Sequence, residues 1–317
     1  MFESILPFWV CVLLVCRLFF GTYTSVLLAS ILFGAAELFR GRKSDDAVWK
    51  KLYSDLSIVG HKGCALNAPE NTLASVREAH KLGVNAIEFD IILTGDDEPI
   101  VFHDSTFDRT TDVTGEVESL TWEQTKHIDA SIKYTGPGNF PKERIPHLKE
   151  MLRECKKHGL KVFLDMKGSK PIVMAKVLRD MLKEFPDLHE WAVVCSFYPQ
   201  TLLAVKWYLP QFSTILTFRQ WILRDKTENG SPRNKELWKR VLAPPADVAL
   251  FSSIYNFLWY VCGANAVFIH KDLVSPAEIK YWKERNLDVI VWTVNDESTK
   301  AYLRSLNIPY ITDDCTC

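Results

Sequence analysis

The sequence predicts an α/β protein, a (β/α)8 barrel that follows an N-terminal transmembrane anchor. Two observations predict this fold class. Residues 5–36 carry a single charged side chain, Arg17, and beyond about residue 55 short β-rich runs alternate with amphipathic helical segments. Strands alternating with helices indicate a parallel sheet, and eight such units fit a barrel. An open doubly wound sheet is the alternative.

The N-terminal apolar stretch is interpreted as an uncleaved membrane anchor over residues 1–42. Residues 5–16 are uncharged, and after Arg17 a second uncharged run continues to residue 36, where Glu37 follows. A helix that spans a bilayer needs about 20 apolar residues. A cleaved signal peptide would have an apolar region of only about 7–15 residues. Two short passes that form a hairpin are a further alternative.

The sequence thus predicts an integral membrane protein of the endoplasmic reticulum, plasma or vesicle membrane, but two signals on its orientation disagree. Positive charge favours the cytoplasmic side, and five basic residues follow the anchor: Arg40, Arg42, Lys43, Lys50 and Lys51. A glycosylation sequon at residues 229–231 matters only on the lumenal side. The side of the membrane on which the main domain lies is therefore not predicted.

The barrel domain is assigned to residues 55–317. Its strands are expected at residues 57–61, 86–93, 161–167, 191–196, 213–218, 266–270, 288–294 and 310–312, and a short extended return at 99–103. Helices are expected at residues 72–82, 148–158, 172–184, 275–285 and 297–305. Gly83 and Gly159 lie where the first two of these helices end, as helix stop signals do.

Residues 219–265 form an aromatic-rich insertion after the fifth strand. An uncharged run at 248–269 is long enough for a membrane pass. The chain cannot cross a bilayer there and still form the strand at 266–270, so a membrane-dipping helix is preferred. Its tryptophans and tyrosine favour a membrane interface. A lid packed on the barrel is the alternative.

Charge and cysteine content exclude several classes of protein. The formal net charge is −1, so no basic excess draws the chain onto nucleic acid. None of the eight cysteines forms a CxxC pair of the zinc-binding type. The prediction is free, mostly buried thiols, with Cys315 and Cys317 open to redox chemistry or lipidation.

Three carboxylates lie at the ends of predicted strands, where barrels place their active sites. Glu88 and Asp90 are two residues apart and share one face of their strand, and Asp165 follows on the next barrel strand. Unpaired buried carboxylates are costly, and a bound divalent cation resolves their repulsion. Oxygen ligands suit Mg²⁺ or Ca²⁺ rather than zinc. Salt bridges to Lys62 and Lys167 are the structural alternative.

Two histidines and two lysines accompany these carboxylates. His61 ends the first strand and His103 ends the extended return, and such a pair suits acid–base work near neutral pH. Lys62 and Lys167 supply positive charge for an anionic phosphoryl group. Together these residue types indicate phosphodiester cleavage.

The ordered series of motifs over residues 57–313 resembles the glycerophosphodiester phosphodiesterase family. The motifs are His61-Lys62-Gly63, Ala68-Pro69-Glu70-Asn71-Thr72, Glu88-Phe89-Asp90, His103-Asp104, Asp108-Arg109-Thr110-Thr111, Gly115, Ile145-Pro146-x-Leu148, Asp165-Met166-Lys167-Gly168, Trp292-Thr293-Val294-Asn295 and Ile311-Thr312-Asp313. The anchor, the Asp-x-Lys-Gly form and the aromatic insertion look most like the animal membrane-bound members.

The resemblance implies a role for each matching position. Glu88, Asp90 and Asp165 would hold the metal, Mg²⁺ rather than Ca²⁺. The other implied roles are acid–base catalysis by His61 and His103, phosphate binding by Lys62 and Lys167, a further acidic residue near the metal in Glu70, and a pocket wall in Trp292.

The resemblance also implies a mechanism: a glycerol hydroxyl attacks phosphorus, an alcohol leaves with help from a histidine, and water opens the cyclic phosphate.

Two positions depart from the family pattern. Position 62 is usually Arg, and Lys lacks the bidentate fork that suits phosphate oxygens, so weaker phosphate binding is expected. Asp165 replaces the Glu of many members and would draw the metal closer to its strand.

The predicted function is metal-dependent hydrolysis of glycerophosphodiesters, such as glycerophosphoinositol or glycerophospho-N-acylethanolamine, to glycerol 3-phosphate and an alcohol. Its expected partners are this small-molecule substrate and membrane lipid. A lysophospholipase D acting on membrane lysophospholipids is one alternative. A catalytically weak, membrane-bound binding protein is another, and Lys62 is the feature that points to it.

Overall fold

Eight parallel strands close into a barrel in a computed structural model that describes residues 2–168, 170–225 and 232–316. The strands in chain order are β1 Ile58–Gly60, β2 Ala86–Leu93, β3 Pro99–Val101, β4 Lys161–Met166, β5 Ala192–Ser196, β6 Ser213–Phe218, β7 Ala266–His270, β8 Asp288–Trp292 and β9 Tyr310–Thr312. Strand β1 pairs in parallel with both β2 and β9, which closes the barrel. Strand β3 is the exception, because it pairs antiparallel with the end of β2. The predicted barrel is therefore confirmed, and the open sheet is excluded.

Helices connect these strands around the outside. They are α1 Phe2–Phe19, α2 Thr22–Phe39, α3 Asp46–Tyr53, α4 Leu73–Lys81, α5 Trp122–Thr125, α6 Leu148–Lys157, α7 Pro171–Met181, α8 Leu188–Trp191, α9 Pro199–Tyr208, α10 Leu237–Ser253, α11 Trp259–Val261, α12 Pro276–Lys283 and α13 Glu297–Ser305. Five match helices expected from the sequence. Helix α9 was not expected, because consecutive residues such as Ala204, Val205 and Lys206 are all buried and leave no one-sided pattern.

Apolar side chains fill the barrel interior at the end where the strands begin, and helix α3 covers that end. Trp49 and Leu52 of α3 pack with interior residues such as Phe163 and Phe268. The Trp49 indole donates to Asp288 (2.7 Å) at the start of β8. The polar site therefore lies at the opposite end, where the strands finish.

The N-terminal segment is a helical hairpin. Helices α1 and α2 are joined at Phe20 and Gly21, and the rings of Trp9 and Phe33 meet edge to face at 5.2 Å. Ile5 is fully buried against the barrel, and Phe8 stacks on Phe257. The two N-terminal helices thus form a hairpin, as one alternative expected, and their passage through a membrane stays a prediction.

Two helical stretches are long and apolar enough to cross a membrane, Thr22–Phe39 and Leu237–Val261. The second is tied to the barrel at its middle, because Asp247 accepts hydrogen bonds from the backbone N–H groups of Leu223 and Arg224 (both 2.8 Å). A π-helical turn, Ile254–Leu258, separates α10 from α11. The sequon at residues 229–231 lies outside the described residues.

Cys64 and Cys315 form a disulfide. The expectation of free thiols is therefore wrong for these two cysteines, since residues 251 positions apart meet only when β9 closes the barrel beside β1. Cys155, Cys195 and Cys262 are free and buried, as predicted. Cys317 lies outside the described residues.

Candidate active site

Three buried carboxylates gather at the carboxyl ends of β2 and β4. Alternation along β2 points Glu88 and Asp90 into the barrel, and Asp165 is the register partner of Asp90 on β4. One oxygen from each of the three lies within 4.8 Å of the others. All three side chains are almost fully buried. The sequence prediction that these residues meet agrees with the geometry.

The electrostatics of the cluster suit a cation. Burial, and then the charges of Asp90 and Asp165, raise the pKa of Glu88 to about 8. Burial likewise raises the pKa of Asp165. Asp165 Oδ1 is buried and has no hydrogen-bond partner among the described residues. An oxygen-rich cluster with an unpartnered buried atom fits a hard divalent ion such as Mg²⁺.

Lys167 is the cation that the chain itself places beside the cluster. Its ammonium contacts Asp90 at 2.9 Å and Asp165 at 3.0 Å. Burial opposes the charge on Asp90, but Lys167 and the Asn71 amide (2.9 Å) outweigh it, and the pKa of Asp90 lies far below its ordinary value. The salt bridge anticipated for Lys167 is thus present in the same site as the unpartnered Asp165 oxygen.

His61 is held from the other end of the chain. Its Nδ1 lies 2.6 Å from Asp313, which in turn accepts from the Asn295 amide at 2.7 Å. Its Nε2 is 3.9 Å from Glu88. Burial alone would lower the pKa of His61, but the Asp313 hydrogen bond and the Glu88 charge outweigh it, and the pKa is raised.

His103 belongs to a chain of charged groups along the rim. Its Nδ1 lies 2.7 Å from Asp104, which accepts from Arg109 Nε at 2.5 Å. Arg109 also forks onto both oxygens of Glu70 (2.6 and 2.7 Å), and Glu70 accepts from Lys62 at 3.2 Å. Burial and the positive charge of neighbouring lysines outweigh the carboxylates around His103, so its pKa is lowered.

Glu70 is not one of the three carboxylates whose oxygens lie within 4.8 Å of one another, and its partners are two cations, Lys62 and Arg109; its role beside a metal stays a prediction. The Lys62 ammonium therefore pairs with Glu70 and not with the buried carboxylates. Glu70 thus holds Lys62 and Arg109 in position at the rim.

The loop after β1 requires an unusual backbone. Lys62 has φ 51°, and this turn directs its N–H onto Glu88 at 3.2 Å. At Gly63, φ is 92°, and a Cβ would lie 2.1 Å from the Ser75 hydroxyl. Only glycine fits position 63, and its presence fixes how His61 and Lys62 face the cluster.

Trp292 lines one side of the mouth at the end of β8. Its indole donates to the Phe268 carbonyl (3.2 Å), and its ring meets Phe197 edge to face at 5.3 Å. Lys167 lies over the same Phe197 ring at 5.9 Å. An apolar wall therefore adjoins the charged cluster.

Five residues of the site occur in the sequence motifs without a predicted role: Asn71, Asp104, Arg109, Asn295 and Asp313. Each contacts a proposed site residue or one of its partners. Strand alternation would have found Asp313, because Ile311 faces the barrel interior and the residue two positions later shares its direction.

The fold and this site together define a phosphoryl-transfer hydrolase built on a barrel. A family model described as "Glycerophosphoryl diester phosphodiesterase family" matches residues 61–316. The chain belongs to that family, and the resemblance of its motifs is confirmed.

Curated relatives and a solved structure agree with this assignment. The chain is 40% identical to glycerophosphodiester phosphodiesterase 1 of Homo sapiens over 259 residues, which cover 81% of this chain and 78% of the relative. The Mus musculus protein of the same name matches equally well, at 40% over the same shares.

Among solved structures, an Oleispira antarctica phosphodiesterase in complex with sn-glycerol-3-phosphate superposes with a TM-score of 0.63 at 22% identity, covering 84% of this chain and 96% of that one. At that identity the likeness supports the barrel fold.

Proposed function

We propose that the chain hydrolyses glycerophosphodiesters, with a divalent metal, to glycerol 3-phosphate and an alcohol. The observation that carries this proposal is the buried carboxylate cluster with its unpartnered oxygen, with His61 Nε2 3.9 Å from Glu88 and His103 near enough to Asp90 to act on its charge. A soluble diester such as glycerophosphoinositol or glycerophospho-N-acylethanolamine is the proposed substrate.

Glu88, Asp90 and Asp165 would hold the metal, and Mg²⁺ is preferred over Ca²⁺. When bound, the metal supplies positive charge to the phosphoryl oxygens. Lys167 adds fixed positive charge at the same place, and Lys62 adds it at the rim. Lysine in place of arginine at position 62 contributes a point charge rather than a fork, which weakens phosphate binding.

The two histidines divide the proton transfers. His103, whose pKa is lowered, is neutral near pH 7 and takes the proton from the attacking glycerol hydroxyl. His61, whose pKa is raised by the Asp313 hydrogen bond and the Glu88 charge, is the better proton donor of the two and would give a proton to the leaving alcohol. Asp313 and Asp104 hold the two rings by hydrogen bonds to Nδ1, which leaves each Nε2 for the substrate.

The wall formed by Trp292 and Phe197 and the apolar face of α10 favour a second candidate, a lysophospholipase D. Leu237, Trp238 and Val241 of α10 are 74%, 62% and 64% exposed. Helix α10 follows β6, and the active-site mouth lies at the carboxyl end of that strand. An acyl chain entering from lipid would meet these apolar surfaces.

We expect purified full-length protein to release glycerol 3-phosphate from glycerophosphoinositol with Mg²⁺ and to stop when EDTA is added. His61→Ala should lower kcat roughly 10²- to 10⁴-fold, because it removes a general acid. His127→Ala, at an exposed position, is the matched control. Faster release of choline from lysophosphatidylcholine than of glycerol 3-phosphate from glycerophosphoinositol would favour the second candidate. Undiminished turnover in EDTA, or in His61→Ala, would refute the proposed site.

We also propose that residues 1–42 attach the barrel to a membrane and that the barrel, residues 55–317 with its insertion at 219–265, lies on an oxidising side. The apolar outer faces of α1 and α2 support attachment: Leu18, Tyr23 and Leu27 are 81%, 93% and 59% exposed. The Cys64–Cys315 disulfide supports the oxidising side, because such bonds form in the endoplasmic reticulum and beyond.

In sealed microsomes, we expect the full chain to stay in the pellet after alkaline carbonate and to resist protease until detergent is added. Leu27→Glu with Ile31→Glu should shift it to the supernatant, because both side chains are more than half exposed and the barrel does not depend on them. Release of the unmutated chain would contradict attachment. Digestion without detergent would contradict the proposed side.

A further inference from the structure

A cleft at the base of the barrel lies at the opposite end from the carboxylate cluster. Its cavity volume is about 100 Å³, and it is lined by Arg40, Lys43, Tyr260, Arg285 and Asn286, among others. We call it the base cleft. Gly263 and Leu287, which also line it, precede β7 and β8, so it belongs to the end where the strands begin.

The two membrane-length helical stretches end together at the base cleft. The Gly41 N–H donates to the Val261 carbonyl (2.8 Å), and the Tyr260 hydroxyl donates to Glu37 (2.7 Å). At the end of α2, Leu38 and Phe39 are 77% and 53% exposed, and positive charge begins with the next residue, Arg40. Such a change from apolar to basic residues beside a tyrosine marks the head-group level of a bilayer.

The base cleft carries more positive than negative charge. Arg40 is 3.8 Å from Glu37 and Lys43 is 3.4 Å from Asp46, so these two cations have carboxylate partners. Arg285, the third cation that lines the cleft, has no carboxylate partner among the residues described.

The Arg285 guanidinium is held in place by Tyr281. Its guanidinium stacks over the Tyr281 ring at 3.5 Å, and Nη1 donates to the Tyr281 carbonyl at 2.9 Å. Its Nε is buried and has no hydrogen-bond partner among the residues described. A guanidinium that is fixed in the wall of the cleft, with no carboxylate partner among the described residues, suits a phosphate oxygen.

The floor of the base cleft is bare backbone. A Cβ on Gly41 would lie 2.8 Å from Lys206 Cβ, and one on Gly263 would lie 2.4 Å from the Gly41 carbonyl. Gly263 also has φ 61°. Two glycines in contact bring the loops close without filling the space between Arg40 and Arg285.

We propose that the base cleft binds the phosphate of an anionic phospholipid, with Lys43 and Arg285 as its principal contacts. The inference rests on the proposed membrane attachment, which sets the cleft at the head-group level. It is separate from catalysis, because the cleft is at the other end of the barrel. The bound lipid fixes the height and tilt of the barrel on the bilayer.

The test is native mass spectrometry of the full chain in neutral detergent with palmitoyl-oleoyl phosphatidylserine or phosphatidylcholine. We expect roughly tenfold preferential retention of phosphatidylserine, since each basic residue near the surface favours anionic lipid. Lys43→Gln with Arg285→Gln should abolish the preference. Lys280→Gln with Lys283→Gln, on the exposed face of α12, removes the same charge elsewhere and should keep it.

Three outcomes would overturn the inference: no preference in the unmutated chain, an unchanged preference in Lys43→Gln with Arg285→Gln, or full competition by inorganic phosphate at the lipid concentration. Hydrolysis of glycerophosphoinositol and the melting temperature of the same samples report folding. If Lys43→Gln with Arg285→Gln loses the preference for phosphatidylserine but keeps both its hydrolytic activity and its melting temperature, the result supports the site. Carbonate extraction of the same variants separates failure of the cleft from failure of membrane attachment.

Discussion

Glu88→Gln is expected to remove at least roughly 10³-fold of the hydrolytic rate, because metal charge stabilisation is worth several kcal/mol. The side chain keeps its size and its place on β2, so the loss would come from charge alone. Lys167 remains beside Asp90 and Asp165 and does not replace the missing carboxylate.

The same change should have opposite effects on stability with and without metal. The pKa of Glu88 rises from 4.5 to about 8 in the folded chain. A carboxyl with a raised folded pKa destabilises the fold progressively as pH rises from its unfolded pKa to its folded pKa. In EDTA, Glu88→Gln lacks this penalty and should melt at a higher temperature than the unmutated chain at pH 8. In Mg²⁺ the order should reverse.

Melting curves at pH 6 and pH 8, each in EDTA and in Mg²⁺, test this prediction alongside the rate. Glu284→Gln removes an exposed carboxylate far from the cluster and should change neither property by more than a small amount. If Glu88→Gln melts lower than the unmutated chain in EDTA at pH 8, the carboxylate is a structural ion-pair partner and the metal assignment fails.

Replacing Cys64 and Cys315 together by alanine is expected to lower the free energy of unfolding by about 4 kcal/mol. The bridge closes a loop of 251 residues, so it restricts the unfolded chain strongly. It also lies three residues after His61 and two after Asp313. We therefore expect kcat to fall as well, because the pair that orients His61 loses its covalent support.

Urea unfolding of the double variant, and of the unmutated chain with and without dithiothreitol, measures this effect. Cys11→Ala is the control, because Cys11 is free and exposed. Identical midpoints for oxidised and reduced protein would show that the bridge does not contribute. A lower midpoint with unchanged kcat would confine its role to stability.

The sequence predicts the barrel strands well because their pattern is local. Each barrel strand is a short β-rich run followed by a turn or helix signal, and the observed strands fall within one residue or two of the expected ranges. Alternation along β2 was enough to place Glu88 and Asp90 on one face. The position of Asp165 at the end of the next barrel strand brought it into the same group.

What the sequence could not predict depends on contacts between distant segments. The Cys64–Cys315 bridge and the His61–Asp313 pair join the first and last barrel strands, and no local pattern encodes which cysteine or aspartate meets which partner. Helix α9 escaped prediction because it is buried on more than one side. The rim contacts of Glu70 likewise depend on Arg109, which lies 39 residues further along the chain.

Closure of the barrel by its last strand has a consequence for the order in which the protein matures. His61 and Asp313 are 252 positions apart, and β9 fits between β1 and β8. A ribosome adds residues at roughly 5–20 per second, so β1 waits many seconds with an unpaired edge before its neighbour exists. During that interval the nascent chain lacks the Asp313 carboxylate that orients His61. We therefore expect activity only after synthesis has passed residue 313, and no hydrolysis of substrate by truncated translation products.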